Sequence, residues 1–181
     1  MKLDKIMKCL PHFCRGVVVK GFGRGSKQLG IPTANFPDSV VENLPCDLPT
    51  GIYYGWAQVN SGEVHKMVLS VGWNPYYKNE KKSMETHIIH SFNEDFYDSV
   101  LSIIMLGYIR GEENFSSLDD LISAINNDIA KAKFELDGEE RIKYKHHSFF
   151  SDHETSHGKV SAIQPLKAHL NNDALDTNSN L

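Results

Sequence analysis

Gly51-Ile52-Tyr53-Tyr54-Gly55-Trp56-Ala57-Gln58-Val59 is followed by Asn60-Ser61-Gly62-Glu63 and then by a second run from Val64 to Trp73. The first run is rich in aromatic and β-branched residues. The middle four are turn formers, and the return places Met67, Leu69 and Val71 on one face. That pattern predicts an antiparallel hairpin. Further strands are expected at Phe13 to Gly21, with its run Val17-Val18-Val19, at Ser83 to Phe92 and at Val100 to Ile109. Between the last two, Asn93 to Asp98 is expected to form a short helical turn capped by Asn93. A longer helix begins near Ser117, capped by Ser116 or Ser117, with Asp119 and Asp120 in the first turn, where the helix dipole favours negative charge. Leu118, Leu121, Ile122, Ile125 and Ile129 recur along it at helical spacing. Strands and turns followed by one amphipathic helix predict a β-barrel or sandwich with that helix packed against it.

The chain has 181 residues, enough for one domain with a true core and too few for two. Its 40% hydrophobic and 23% charged content is ordinary for a soluble globular protein. A net charge of −4 argues against a general nucleic-acid binder. No apolar run approaches the length of a membrane span, and the N-terminus lacks a secretory h-region. Cys9, Cys14 and Cys46 are odd in number and lack metal-ligand spacing, so reduced thiols in the cytosol are expected. From 151 onward no aromatic residue occurs and Asn, Asp, Ser and His dominate, which predicts a disordered tail.

Residues 21–37 read GFGRGSKQLGIPTANFP, with four glycines and a lysine inside ten residues. Such a backbone suits close approach to phosphate, yet both common phosphate loops are excluded. Ser26 stands where a Walker A loop needs its second glycine, and where the dinucleotide fingerprint needs its third. Gly30 and Pro32 then prevent a regular helix. Any phosphate held here would sit on loop amides and Lys27, with a metal helping. Thr33 and Asn35, two apart on extended backbone, point the same way and offer hard, neutral oxygens of the kind magnesium accepts. An ordinary Pro-rich connection with local Thr and Asn turn bonds explains the same residues; residue types alone favour it, and the adjoining glycine-lysine loop brings the two readings level.

Downstream, Met84-Glu85-Thr86-His87-Ile88-Ile89-His90 alternates so that Glu85 and His87 share one face, and Thr86, Ile88 and His90 the other. Glu85 is a candidate general base; a solvated carboxylate at a barrel rim is the plainer alternative. Arg110 ends the last strand, and Gly111-Glu112-Glu113-Asn114-Phe115 leads into the helix. An Arg and a Phe on a strand-to-helix loop can hold a flat aromatic ligand; Phe115 can equally be a hydrophobic staple on the helix. His153-Glu154-Thr155-Ser156-His157 spells the zinc-protease pattern, but Gly158 follows at once and no glutamate occurs downstream as third ligand, so a zinc site is not expected.

Together, Cys14-Arg15-Gly16, the 21–36 loop, Thr50 to Trp56, Gly72-Trp73-Asn74-Pro75-Tyr76-Tyr77 and Met84-Glu85-Thr86-His87-Ile88 resemble the eukaryotic riboflavin kinases (flavokinases) in the right order, over about residues 12 to 136. The resemblance implies a mainly β fold, a six-stranded antiparallel Greek-key barrel with a C-terminal amphipathic helix packed on it. It implies an enzyme that transfers the ATP γ-phosphate to the ribityl 5′-hydroxyl of riboflavin, giving FMN and ADP. Gly21, Lys27, Thr33, Asn35, Ile88, His90 and Tyr97 would meet ATP, with Thr33 and Asn35 also holding the metal. That metal would be Mg2+, with Zn2+ or Mn2+ as alternatives. Glu85 would be the catalytic base, and Arg110 and Phe115 would contact the flavin. Gly111 and Glu113 depart from the Pro and Lys usual there. The expected organisation is an N-terminal extension at 1–11, the kinase barrel at 12–145 and a polar, disordered tail at 146–181, in a cytosolic monomer with neither nucleic-acid nor membrane partners. The alternative is a flavin- or nucleotide-binding barrel without turnover.

Overall fold

The computed structural model describes residues 8–21, 29–73 and 81–152. Six strands form one antiparallel sheet: β1 His12–Val17, β2 Ala34–Asn35, β3 Gly51–Val59, β4 Val64–Trp73, β5 Lys82–Ile88 and β6 Val100–Arg110. Their order is β1-β6-β3-β4-β5-β2. The expected hairpin is β3–β4, its strands paired from Gly51↔Val71 to Gln58↔Val64. β6 returns beside β3, which makes β3 to β6 a Greek key. The sheet curls until its edges meet, because Val19, just past β1, bridges Asn35 of β2 and donates its N–H to the Asn35 carbonyl at 3.0 Å. β1 and β5 are shorter than the sequence pattern predicts. After Ile88 the chain turns, with the His90 N–H on the Ile88 carbonyl at 2.8 Å.

β3 and β6 are buried on both faces, so each reads as a nearly continuous apolar run. Inside the curl lie Tyr53, Ala57, Met67, Leu69, Met84, Ile88, Leu101, Ile103 and Met105. Outside it a second core of Tyr54, Trp56, Val68 and Ile104 is covered by α2 (Leu118–Leu136), which follows a four-residue α1 at Asp38–Val41. Ser117 caps α2 by accepting the Asp120 N–H at 3.1 Å. The apolar stripe read in the sequence faces the sheet through Ile129, with Leu121, Ile122 and Ile125 partly buried, but it does not begin at Leu118. Leu118 is 55% exposed, and the fully buried positions are Asp128, Ala132 and Leu136.

Two expectations are corrected. Asn93 to Asp98 is not helical: bends and a turn fill it, and the Asp98 N–H goes to the Val18 carbonyl at 3.0 Å while Phe96 packs on the inner core. The ordered chain also continues past 145. After α3 (Glu139–Ile142) two 3-10 turns, Lys143–His146 and Ser148–Phe150, bring Phe149 and Phe150 into the outer core. Arg15 of β1 holds that segment by donating to the carbonyls of Phe149 and Asp152 and by lying over the Phe149 ring. Cys9 and Leu10, assigned to the N-terminal extension, likewise pack on the inner core. The His153–His157 pattern lies outside the described residues.

One buried and one partly buried polar group bear on stability. Thr86 is 1% exposed and, among the described residues, its hydroxyl has no hydrogen-bond partner. Replacing an unsatisfied buried hydroxyl by a methyl removes a desolvation penalty, so Thr86→Val is expected to stabilise the fold by about 1 kcal/mol, about 2–4 °C in a thermal melt. His12 sits on β1, and burial pushes its imidazole below the ordinary value of 6.5. The unfolded chain therefore binds a proton there that the folded one resists, so stability falls as pH drops below about 6.5. Urea midpoints at pH 7.5 and 5.5 are expected to show that loss, with a smaller slope in His12→Asn.

Candidate active site

The β2–β5 pairing brings the candidate metal and base residues together. Asn35 stands directly opposite Glu85, and Ala34 opposite Thr86. Opposed residues share a face, so Ala34 and Thr86 close the core while Asn35 and Glu85 turn outward, both half-buried. Thr33, half-buried immediately before β2, is two residues from Asn35, the spacing at which extended backbone returns to the same face. His87 secures the approach to it, its Nδ1–H donating to the Pro32 carbonyl at 2.9 Å. Gly21 completes the group, since a β-carbon there would overlap the Asn35 side-chain amide. Four sequence candidates separated by 64 positions thus lie on neighbouring backbone. Lys27 lies outside the described residues.

The other nucleotide candidates lie at the C-terminal end of β5 and in the chain just beyond it. Ile88 is three residues from Glu85, about 10 Å along a strand. Its side chain is 4% exposed and belongs to the inner core, so only its backbone can meet a ligand. His90 is exposed and stacks on His65, a residue not singled out in the sequence, with ring centroids 4.0 Å apart. Phe92 meets both imidazoles edge-on, and Phe96 packs on Phe92. Burial first, and His90 second, push the His65 imidazole down. Tyr97 is 45% exposed beneath the Lys20 ammonium.

At the other end of the site Arg110 and Phe115 lie together, with the guanidinium 5.6 Å from the ring centroid. Arg110 is also tied down by a residue that sequence reading missed. Its Nε and Nη2 donate to the Asp128 carboxylate at 3.0 and 2.7 Å, and Nη1 donates to the Gly111 carbonyl at 3.1 Å. Glu113, where relatives were expected to carry Lys, lies 3.5 Å from Nη1. The bonds to Asp128 hold the guanidinium above its ordinary pKa, against the smaller opposing effect of burial. The overlooked signal was an acid inside an apolar helical face, Ile125, Asp128, Ile129 and Ala132.

Thr33, Asn35 and Glu85 are all hard oxygen donors, two of them neutral. Such a set fits a cation that takes few protein ligands and shares the rest of its shell with phosphate and water. Among the described residues no group of three or more His, Cys, Asp or Glu forms a separate metal cage, and no helix is long and apolar enough to cross a membrane.

The riboflavin kinase (flavokinase) family model matches residues 9–136. Riboflavin kinase of Mus musculus is 65% identical over 154 residues, covering 85% of this chain and 97% of that protein. Riboflavin kinase of Homo sapiens is 66% identical over 144 residues, covering 80% and 93%. The crystal structure of riboflavin kinase from Trypanosoma brucei superposes with a TM-score of 0.65 at 29% identity, covering 81% of this chain and 93% of that one. A six-stranded barrel whose outward face carries Asn35 opposite Glu85, matched over this length, makes the chain a member of the riboflavin kinase family.

Proposed function

We infer that the chain phosphorylates the ribityl 5′-hydroxyl of riboflavin with ATP, giving FMN and ADP, and that β5 is the axis along which the two substrates meet. The observation that carries the site assignment is the pairing of Asn35 with Glu85. It sets a carboxylate beside metal-type oxygens, which phosphoryl transfer needs and mere ligand binding does not. Glu85 takes the hydroxyl proton as the oxygen attacks the γ-phosphorus. Asn35 and Thr33 hold a divalent cation, for which the neutral oxygen donors favour Mg2+ over the nitrogen- and sulfur-seeking Zn2+. When bound, that cation neutralises charge on the transferring phosphoryl group.

Gly21 leaves room for the Asn35 amide, and Lys27 supplies a further positive charge to the phosphates. His90 and Tyr97, beyond Ile88, receive the nucleoside end. Arg110 and Phe115 receive the isoalloxazine ring. The unpaired Cys9, Cys14 and Cys46 support a reducing, cytosolic setting; burial pushes the Cys14 thiol up to about 12, so it stays protonated. Incubation with riboflavin, ATP and Mg2+ is expected to yield FMN, resolved from riboflavin by chromatography. Flavin binding with no FMN under any divalent metal would establish the non-catalytic barrel instead.

A further inference from the structure

Glu112 is placed as if for a ligand and has no role in the assignments above. It lies in the loop between Arg110 and Phe115, yet its side chain folds back over the sheet. A β-carbon at Gly72 would stand 2.7 Å from Glu112 Oε1, so this carboxylate rests on the bare backbone at the end of β4. Ser70 is opposite Glu85 and Gly72 is opposite Ser83. Gly72 is therefore the diagonal neighbour of Glu85 on the same outward face, at a typical separation of about 7–8 Å. Glu112 is exposed and, among the described residues, makes no hydrogen bond or ion pair. Its nearest cation in sequence, Arg110, is committed to Asp128 and Glu113.

A carboxylate offers only acceptors, and this one stands between the base and the Arg110–Phe115 platform. A flavin with its ring on that platform and its terminal hydroxyl at Glu85 must run its polyol chain past Glu112. We propose that Glu112 is a specificity-determining residue that accepts hydrogen bonds from the secondary hydroxyls of the ribityl chain. The proposal rests on the riboflavin kinase reading above. It makes Gly72 the residue that keeps the seat open, since any side chain there would push the carboxylate away.

The test compares riboflavin with lumiflavin, which has the same ring and a methyl in place of the ribityl chain. Binding is read by flavin fluorescence quenching in the presence of ADP and Mg2+. Glu112→Ala is expected to weaken riboflavin binding roughly tenfold or more, as loss of a hydrogen bond to a charged group does, and to leave lumiflavin binding unchanged. Gly72→Ala is expected to reproduce that selectivity with Glu112 intact. Equal losses for both flavins would make Glu112 a support of the loop and overturn the proposal, as would unchanged riboflavin binding. The riboflavin kinase reading itself fails separately, if wild-type protein neither binds riboflavin nor forms FMN.

Discussion

Glu85→Gln is expected to lower the rate of FMN formation by about 10²- to 10⁴-fold, the range for loss of a positioned general base, while affinity for ATP stays within a few-fold of wild type. Glutamine has the same shape and can keep its place opposite Asn35, so neither the β2–β5 pairing nor the fold should change. What it loses is the ability to take a proton. Single-turnover FMN formation, set beside calorimetric binding of ADP with Mg2+, separates the two effects. Near wild-type turnover would remove Glu85 from proton transfer and leave positioning and charge neutralisation to do all the work, as phosphoryl transfer through a loose transition state allows. Loss of nucleotide binding would instead make Glu85 a member of the metal shell.

Much of this site was legible in the sequence because strand alternation is a local rule. Thr33 and Asn35 had to share a face, as did Glu85 and His87, whatever the rest of the chain did. That these two pairs face each other was not legible. It depends on a two-residue strand, Ala34–Asn35, too short to leave a periodic signal, and on the bridge to Val19 that closes the curl. The same limit explains the tail. Lys143 to Phe150 is polar apart from its aromatics, and it is the outer core, with Arg15 and Phe13 on β1, that gives Phe149 something to pack against. The expected turn at Asn93 failed for a related reason: its cap residue fits a helix, but Phe96 gains more by entering the core. Local chemistry was readable wherever it was periodic, and unreadable where a distant strand supplied the partner.

Asp128 is the sharpest instance of that limit, and its removal is expected to act on both stability and flavin binding. It is 4% exposed on the sheet-facing side of α2 and accepts three hydrogen-bond contacts from Arg110, between 2.7 and 3.2 Å. Breaking a fully buried pair costs about 3–5 kcal/mol because a charge is left stranded. The Arg110 side chain is 20% exposed and retains the Gly111 carbonyl and Glu113, so Asp128→Ala is expected to cost less, about 2–3 kcal/mol in urea unfolding. The freed guanidinium would no longer be held over Phe115, so the KM for riboflavin should rise. The KM for ATP should not, since the nucleotide candidates lie toward the opposite end of β5. A double variant, Arg110→Met with Asp128→Leu, separates the two roles. Replacing both charges by apolar side chains is often neutral or stabilising, so the fold should recover while riboflavin binding stays weak. Recovery of both would reduce the Arg110–Asp128 pair to a strut between β6 and α2, and the flavin platform would then rest on Phe115 alone.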